Sequence, residues 1–165
     1  MINLFYHNEW FISTRSEIGG KNKWVNKKSF KHMFDECLDQ NMDYDKLDKD
    51  YCYSFVMRHK DNRNVSPIKN NELFLVEAYN LKNNERLNIS DINIGLDIEK
   101  INNISFNDLI ELQSYEIKGY TIKCGNKRYK KINPLFEKVK DLKPNMNNNF
   151  LNYIELRQNG NLKDY

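Results

Sequence analysis

The sequence predicts an α+β fold in which all 165 residues form one domain. Strand-like segments dominate the start of the chain, helix-like segments end it, and the two types are mixed in between. A chain of about 150 residues buries roughly 70% of its unfolded surface, which is enough for a real hydrophobic core. We find no internal repeat and no clear domain boundary, so we expect a single domain over residues 1–165.

The first half of the chain contains four predicted strands and one predicted helix. Segments Ile2–Tyr6 and Trp10–Thr14 are predicted strands joined by a short turn. In Ser29–Gln40 the apolar residues recur at spacings of three and four, which predicts an amphipathic helix capped by its first serine. Tyr51–Arg58 and Glu72–Leu81 are also predicted strands, and the continuous apolar run of the second indicates a buried central strand.

The second half of the chain is more polar and becomes helical towards its end. The Asn-rich segment Lys82–Asn103 predicts a loop with one weak strand, and Ser105–Gln113 predicts a short helix with a serine cap. Beyond Pro134 the apolar residues again recur at helical spacing up to Leu142, and the same spacing returns in Asn149–Gln158. We therefore expect a helical C-terminal part over about residues 134–165.

A basic hairpin separates these two regions. Segments Tyr115–Lys123 and Lys127–Pro134 alternate polar and apolar residues on either side of a Gly125-Asn126 turn, which is typical of two antiparallel strands. No acidic residue follows Glu116 in these segments, whereas six basic residues do: Lys118, Lys123, Lys127, Arg128, Lys130 and Lys131. The pattern predicts a surface for phosphate groups or RNA, and the alternative is a solvated strand face of a lysine-rich protein.

Composition limits the classes of function. Charged residues make up 30% of the chain but leave a net charge of only +3, so a nucleic-acid site must come from local clustering. The aromatic content of 13% argues against disorder. No apolar stretch is long enough for a membrane span, and no signal peptide is recognisable. Three widely spaced cysteines, Cys37, Cys52 and Cys124, indicate reduced thiols, so we expect a cytoplasmic protein.

Several segments also share their order and spacing with a known family. They are Trp10–Ser16, Tyr53–Val65, Leu73–Tyr79, Lys118–Ile122 and Arg128–Pro134. In this order they resemble the strand after the nucleophile motif, and then motifs III, IIIa, IV and V, of ATP-dependent RNA ligases. The resemblance is to the bacteriophage RNA ligase 1 type and its large-DNA-virus relatives, and it covers most of the chain.

The resemblance implies a fold, a chemistry and a set of ligands. The fold would be a nucleotidyltransferase (ATP-grasp-like) core of antiparallel sheets with flanking helices. Members of the family attack ATP with a lysine and pass AMP to an RNA 5′-phosphate, with Mg²⁺ as the divalent metal. The implied ligands are therefore ATP, Mg²⁺ and RNA, in the cytoplasm of an infected host cell if the protein is viral. The residues that would contact phosphate are Arg15, Lys118, Arg128, Lys130 and Lys131, although Arg15 is equally compatible with a surface salt bridge.

The chain departs from the family pattern at the catalytic positions. The nucleophile motif, Lys-x-(Asp/Glu)-Gly, would lie immediately before Met1 and is absent. The glutamate of motif III corresponds to Ser54 and that of motif IV to Lys118, while Glu116 lies two residues earlier. In motif V the second lysine falls on Ile132, unless a shift of one residue recruits Lys131.

These departures predict an N-terminally truncated or degenerate member of the family, with no catalytic and no metal-binding residue. We expect it not to adenylate itself, and we expect Ile2–Tyr6 to form an unpaired, aggregation-prone edge strand. A second chain that supplies the missing segment would be a natural partner. The alternative is a non-enzymatic nucleic-acid-binding or interaction protein built on the same scaffold.

Overall fold

The chain is described by a computed structural model, which covers residues 1–23, 28–38, 43–62, 65–87, 89, 92, 99–100, 105, 114–124, 127–142 and 148–163. These residues form two compact units. Unit 1 comprises residues 1–62 and 68–103, and unit 2 comprises residues 63–67 and 104–165. The predicted helix Ser105–Gln113 lies outside the described residues beyond its first position, and so does the Gly125-Asn126 turn.

Unit 1 is organised around a six-stranded sheet. Its strands are β1 (Ile2–His7), β2 (Glu9–Ser13), β3 (Tyr51–Arg58), β4 (Glu72–Asn80), β5 (Arg86–Leu87) and β6 (Glu99–Lys100). The strand order is β2-β1-β3-β4-β5, with antiparallel pairing throughout this path, and β6 pairs parallel to β4. Four of these strands coincide with the predicted ones to within two residues at each end.

The first strand lies inside the sheet, so the expectation of an unpaired edge at Ile2–Tyr6 is wrong. β1 pairs with β2 on one side and with β3 on the other, where Ile2 faces Phe55 and Leu4 faces Tyr53. Ile2 and Leu4 are consequently almost fully buried. The sequence prediction failed because strand propensity does not show which strands are neighbours in the sheet.

Helix α1 (Phe30–Leu38) packs against the buried face of this sheet. The helix begins directly after Ser29, whose hydroxyl accepts a hydrogen bond from the backbone N–H of His32. This cap confirms the predicted start of the helix. Phe34 is fully buried and its ring lies 5.8 Å from that of Phe55 on β3, in an edge-to-face arrangement. The helix and the sheet thus share one hydrophobic core.

The described part of unit 2 contains a two-stranded hairpin followed by two α-helices. Its elements are β7 (Gly119–Cys124), β8 (Lys127–Ile132), α2 (Pro134–Leu142) and α3 (Asn149–Gln158). Phe136 of α2 and Leu156 of α3 are buried, whereas Tyr153 of α3 is exposed. No helix in the described part of the chain is long and apolar enough to cross a membrane.

Together the elements confirm the predicted α+β class, with mainly antiparallel pairing and helices at the end of the chain. The nucleotidyltransferase topology stays a prediction, as does the grouping of residues 1–165 into one domain.

The three cysteines lie in different surroundings. Cys37 on α1 and Cys52 on β3 are half-buried, and Cys124 at the end of β7 is exposed. Burial raises the pKa of the Cys37 thiol to about 11, and burial likewise raises the pKa of Cys52. The Cys37 thiol also donates a hydrogen bond to the carbonyl oxygen of Arg58, at 3.6 Å.

Candidate functional site

The register of the hairpin divides its side chains between two faces. Residues directly opposite each other in an antiparallel pair lie on the same face, and alternate residues along a strand share a face. Ile122 pairs with Tyr129 and Tyr120 pairs with Lys131, while Lys123 pairs with Arg128. We define the aromatic face as Tyr120, Ile122, Cys124, Lys127, Tyr129 and Lys131. We define the cationic face as Thr121, Lys123, Arg128, Lys130 and Ile132.

Both faces of β8 are open to solvent. All six residues of this strand are exposed, and so are Lys118 and Lys123. Within the described residues, Lys118, Lys123, Lys127, Lys130 and Lys131 form no ion pair with a carboxylate. Their positive charges are therefore available to a ligand.

A groove of about 330 Å³ runs along the base of the hairpin, beside α2. Its lining includes four lysines and a single carboxylate, Glu137. Aromatic and aliphatic surface comes from Tyr120, Ile132 and Phe136. The four lysines are Lys118, Lys130, Lys131 and Lys140. The volume lies at the small end of the range for small-molecule sites, and the net positive lining suits an anion.

Gly119 allows β7 and β8 to approach each other closely at the base of the hairpin. Gly119 has a φ of 142°, and a Cβ atom there would collide with the carbonyl oxygen of Lys131. Only glycine permits such a close approach of the two strands. Just before it, Lys118 places its ammonium 6.0 Å from the centre of the Phe136 ring, within reach of a cation–π interaction.

Asn133 ties together the three segments that build the groove. Its buried side-chain amide donates to the carbonyl oxygens of Ser114 (2.7 Å) and Ile117 (2.8 Å). Its side-chain oxygen accepts from the N–H of Leu135 at 3.0 Å, which caps α2. Its backbone N–H donates to the carbonyl oxygen of Lys118 at 2.9 Å. One residue thus fixes the segment before β7, the end of β8 and the start of α2.

The structure brings together three of the five predicted phosphate-binding residues. Lys118, Lys130 and Lys131 line the groove, where Lys140 joins them. Arg128 shares the cationic face with Lys130 but does not line the groove. Arg15 lies exposed in unit 1, in the bend after β2, so its grouping with the hairpin stays a prediction. Sequence analysis did not identify Lys140 or Phe136 as groove residues, although Asn133-Pro134 at the start of α2 is a helix-start signal that could have placed them on one helix.

Charge is distributed unevenly between the two units. In unit 2, Lys and Arg outnumber Asp and Glu by 12 to 7, whereas in unit 1 the acidic residues lead by 16 to 14. Unit 1 also pairs many of its charges, as in Lys31 with Asp35 and Lys82 with Asp50. The modest net charge of the whole chain is therefore the sum of a basic unit 2 and a slightly acidic unit 1.

A second polar cluster, in unit 1, could be mistaken for a metal site. Glu36, His59 and Asp61 have oxygen and nitrogen atoms within 4.8 Å of one another. The ammonium of Lys28, however, lies 2.8 Å from Glu36 and 2.9 Å from Asp61, so a cation already bridges both carboxylates. A metal ion would have to displace this lysine.

The same cluster has a clear structural role. His59 is almost fully buried, and its Nδ1 accepts the backbone N–H of Asp61 at 3.1 Å. Its Nε2 therefore carries the hydrogen and donates to Glu36 at 2.5 Å. Hydrogen bonding to Lys28, together with the contact from His59, lowers the pKa of Glu36 to about 2. The cluster thereby fastens α1 to the end of β3.

Ser54 and Lys118, which the resemblance to RNA ligases compares with carboxylate positions, do not offer a carboxylate to Mg²⁺. The hydroxyl of Ser54 donates to the side-chain oxygen of Asn3 at 2.8 Å, within the β1–β3 pair. Lys118 offers an ammonium that packs on Phe136. Mg²⁺ requires oxygen ligands and favours carboxylates, and neither position supplies one.

Comparison with known proteins gave no relative. No protein-family model matches the chain, and neither a curated protein nor a solved structure matches it. The function of the chain must therefore be inferred from its own residues.

We predict that Asn133→Ala loosens the hairpin. The substitution removes the cap of α2 and leaves the carbonyl oxygens of Ser114 and Ile117 without their donor, which should cost about 2–3 kcal/mol. Hydrogen exchange of the β7 and β8 amides measures the loss. Asn148→Ala is the matched control, because it removes the equivalent asparagine cap from α3 of the same unit and should leave the β7 and β8 amides protected. Unchanged protection in Asn133→Ala would contradict the anchoring role.

We predict that unit 1 loses stability in acid through Glu36. A carboxyl whose pKa is lowered by folding stabilises the fold above its ordinary pKa, which is 4.5 here. This contribution is lost as the pH falls from about 4.5 towards about 2. In urea unfolding followed from pH 6 to pH 2, Glu36→Gln should flatten the decline. Asp35→Asn, one residue away and outside the cluster, should leave the decline unchanged. Parallel curves for the parent and Glu36→Gln would refute the coupling.

Proposed function

We propose that unit 2 binds the phosphate groups of an RNA strand or a nucleotide through its hairpin and groove. The single observation that supports this is the convergence of Lys118, Lys130, Lys131 and Lys140 on one groove without ion pairs to described carboxylates. Lysine ammonium groups held close together repel one another, and a phosphate relieves this repulsion. An anion is the ligand class that this electrostatic arrangement favours.

RNA or a nucleotide is favoured over a simple anion because the groove is not purely polar. Tyr120 and Ile132 line it beside the lysines, and they offer apolar surface to a base or a ribose. The exposed hairpin strand β8 continues the positive charge away from the groove, towards Arg128 and Lys127. A ligand longer than one phosphate could therefore make contacts along the strand.

The proposal extends to the origin of the fold through the resemblance to ATP-dependent RNA ligases. Under it, the chain is a degenerate nucleotidyltransferase-like domain that keeps contacts to ATP or RNA phosphates and has lost self-adenylation. Three of the four groove lysines, Lys118, Lys130 and Lys131, lie in the segments that resemble motifs IV and V, and this overlap supports the proposed origin. A second candidate is a non-enzymatic nucleic-acid-binding protein on the same scaffold, and the Ser54 and Lys118 replacements favour it over an active ligase.

We predict that Lys130→Gln with Lys131→Gln weakens binding of a short oligouridine RNA by about tenfold at low salt. Each phosphate contact to a single strand contributes about 0.7 to the slope of log affinity against log salt, so two contacts should lower the slope by about 1.4. Fluorescence anisotropy across a salt series measures both quantities.

The matched control for this experiment is Lys138→Gln with Lys163→Gln. It removes the same charge from exposed positions of unit 2 that do not line the groove. If the two double variants bind alike, the groove is not the site. If the parent protein binds no RNA and no ATP at low salt, the proposed function is wrong.

We also predict that residues 1–165 form no covalent AMP adduct. The positions that hold the metal-binding carboxylates of the family carry Ser54 and Lys118, so the triphosphate would lack its metal. Incubation with radiolabelled ATP and Mg²⁺, followed by a denaturing gel, tests this. A labelled band at the mass of the chain would contradict the prediction and would point to an active lysine.

A further inference from the structure

We propose that the aromatic face of the hairpin binds unpaired nucleobases, with Tyr129 as the central stacking platform, so that the ligand is a single-stranded nucleic acid. This inference rests on the proposed phosphate binding of unit 2 and specifies the class of strand that it takes. The cationic face and the groove supply charge, which cannot distinguish a single strand from a duplex. The aromatic face supplies that distinction.

The ring of Tyr129 is exposed and free of contacts with other described aromatic rings. Tyr129 is 54% exposed, and its ring contacts no other aromatic ring among the described residues. In unit 1, by contrast, aromatic rings pack on one another, as Trp10 does on Tyr44 at 5.9 Å and on Tyr53 at 6.4 Å. A large ring that projects from an otherwise basic strand is open to a flat partner.

Two lysines of β8 lie on either side of the Tyr129 ring, on the same face of the hairpin. Tyr129 lies midway between Lys127 and Lys131 on the aromatic face. Because alternate residues of a strand are about 6.7 Å apart, the two lysines flank the ring at that distance along β8. A base stacked on Tyr129 would therefore have cations available for the phosphates on both of its sides.

The aromatic face continues from Tyr129 across to side chains of β7. Ile122 lies directly opposite it on β7, and Tyr120 lies opposite Lys131. Tyr120 also lines the groove at the base of the hairpin. The aromatic face therefore offers a second ring, diagonally placed about two residues away, and a strand of nucleic acid that follows it reaches the groove lysines.

Charge complementarity selects the occupant of this face. The sequence from Lys118 to Lys131 contains six basic residues and no acidic one, so a second copy of the hairpin would be repelled. Stacking on an aromatic side chain needs a base with a free face, which the bases of a duplex lack over most of their length. An acidic peptide that adds a strand to the free edge of β8 would satisfy the charge but would not require the Tyr129 ring.

The test compares two ligands with the same charge chemistry, namely oligouridine RNA and inorganic polyphosphate, which has no base. Tyr129→Leu should lower the affinity for the RNA about tenfold and leave the affinity for polyphosphate unchanged. Tyr129→Trp should retain RNA affinity, because it keeps an aromatic platform. Tyr153→Leu is the control, since it removes a tyrosine that is 45% exposed on α3 of the same unit.

The ratio of the two affinities decides the outcome. A ratio of RNA to polyphosphate affinity that falls in Tyr129→Leu and is restored in Tyr129→Trp supports the stacking platform. An unchanged ratio in Tyr129→Leu overturns it. If the parent binds polyphosphate and RNA duplex as well as it binds oligouridine, phosphate binding stands and base stacking is wrong. If the parent binds neither ligand, the proposed function itself fails.

Discussion

The hydrogen bonds of Asn133 are the constraint on which the candidate site depends. A two-stranded hairpin is marginally stable by itself, because it has few side chains to bury. All residues of β8 are exposed, so burial in a hydrophobic core does not hold this strand in place. Instead, one buried amide holds the base of the hairpin and the first turn of α2 together. The positions of Lys118 and Phe136 relative to the strands follow from that single residue.

The two units differ in how their charged side chains are compensated. In unit 1 ion pairs stabilise the fold, whereas the groove lysines of unit 2 are available to a ligand. In unit 1 carboxylates and cations neutralise one another, most completely where Lys28 bridges Glu36 and Asp61 over a buried histidine. Such a cluster is satisfied internally and has little left to offer a ligand. In unit 2 the groove lysines have no such partners among the described carboxylates. A search for perturbed or clustered ionisable groups alone would favour the Glu36–His59–Asp61 cluster of unit 1 over the proposed site in unit 2, although the charges of that cluster are already paired.

Local pattern predicted the elements well, and it failed where neighbours in space decide. The periodicity of Phe30–Leu38 and the alternation of polar and apolar residues in β7 and β8 are local sequence patterns, so the helix and the two strands of the hairpin were predictable. The pairing of β1 with β3 joins residues about 50 positions apart, and no local signal encodes it. The same limit applies to the site. The groove lysines of the hairpin could be predicted, whereas Lys140 depends on the direction of α2 and the contact of His59 with Glu36 depends on the packing of α1.

The different exposure of the three cysteines makes one of them, Cys124, a site for selective thiol labelling. Thiolates, and not thiols, react with maleimides, so the half-buried Cys37 and Cys52, whose pKa values are raised by burial, should react slowly near neutral pH. Cys124 is exposed and lies opposite Lys127, at the far end of the hairpin from the groove. A fluorophore attached there would report on the hairpin from the native sequence, without any engineered residue and without a label in the core.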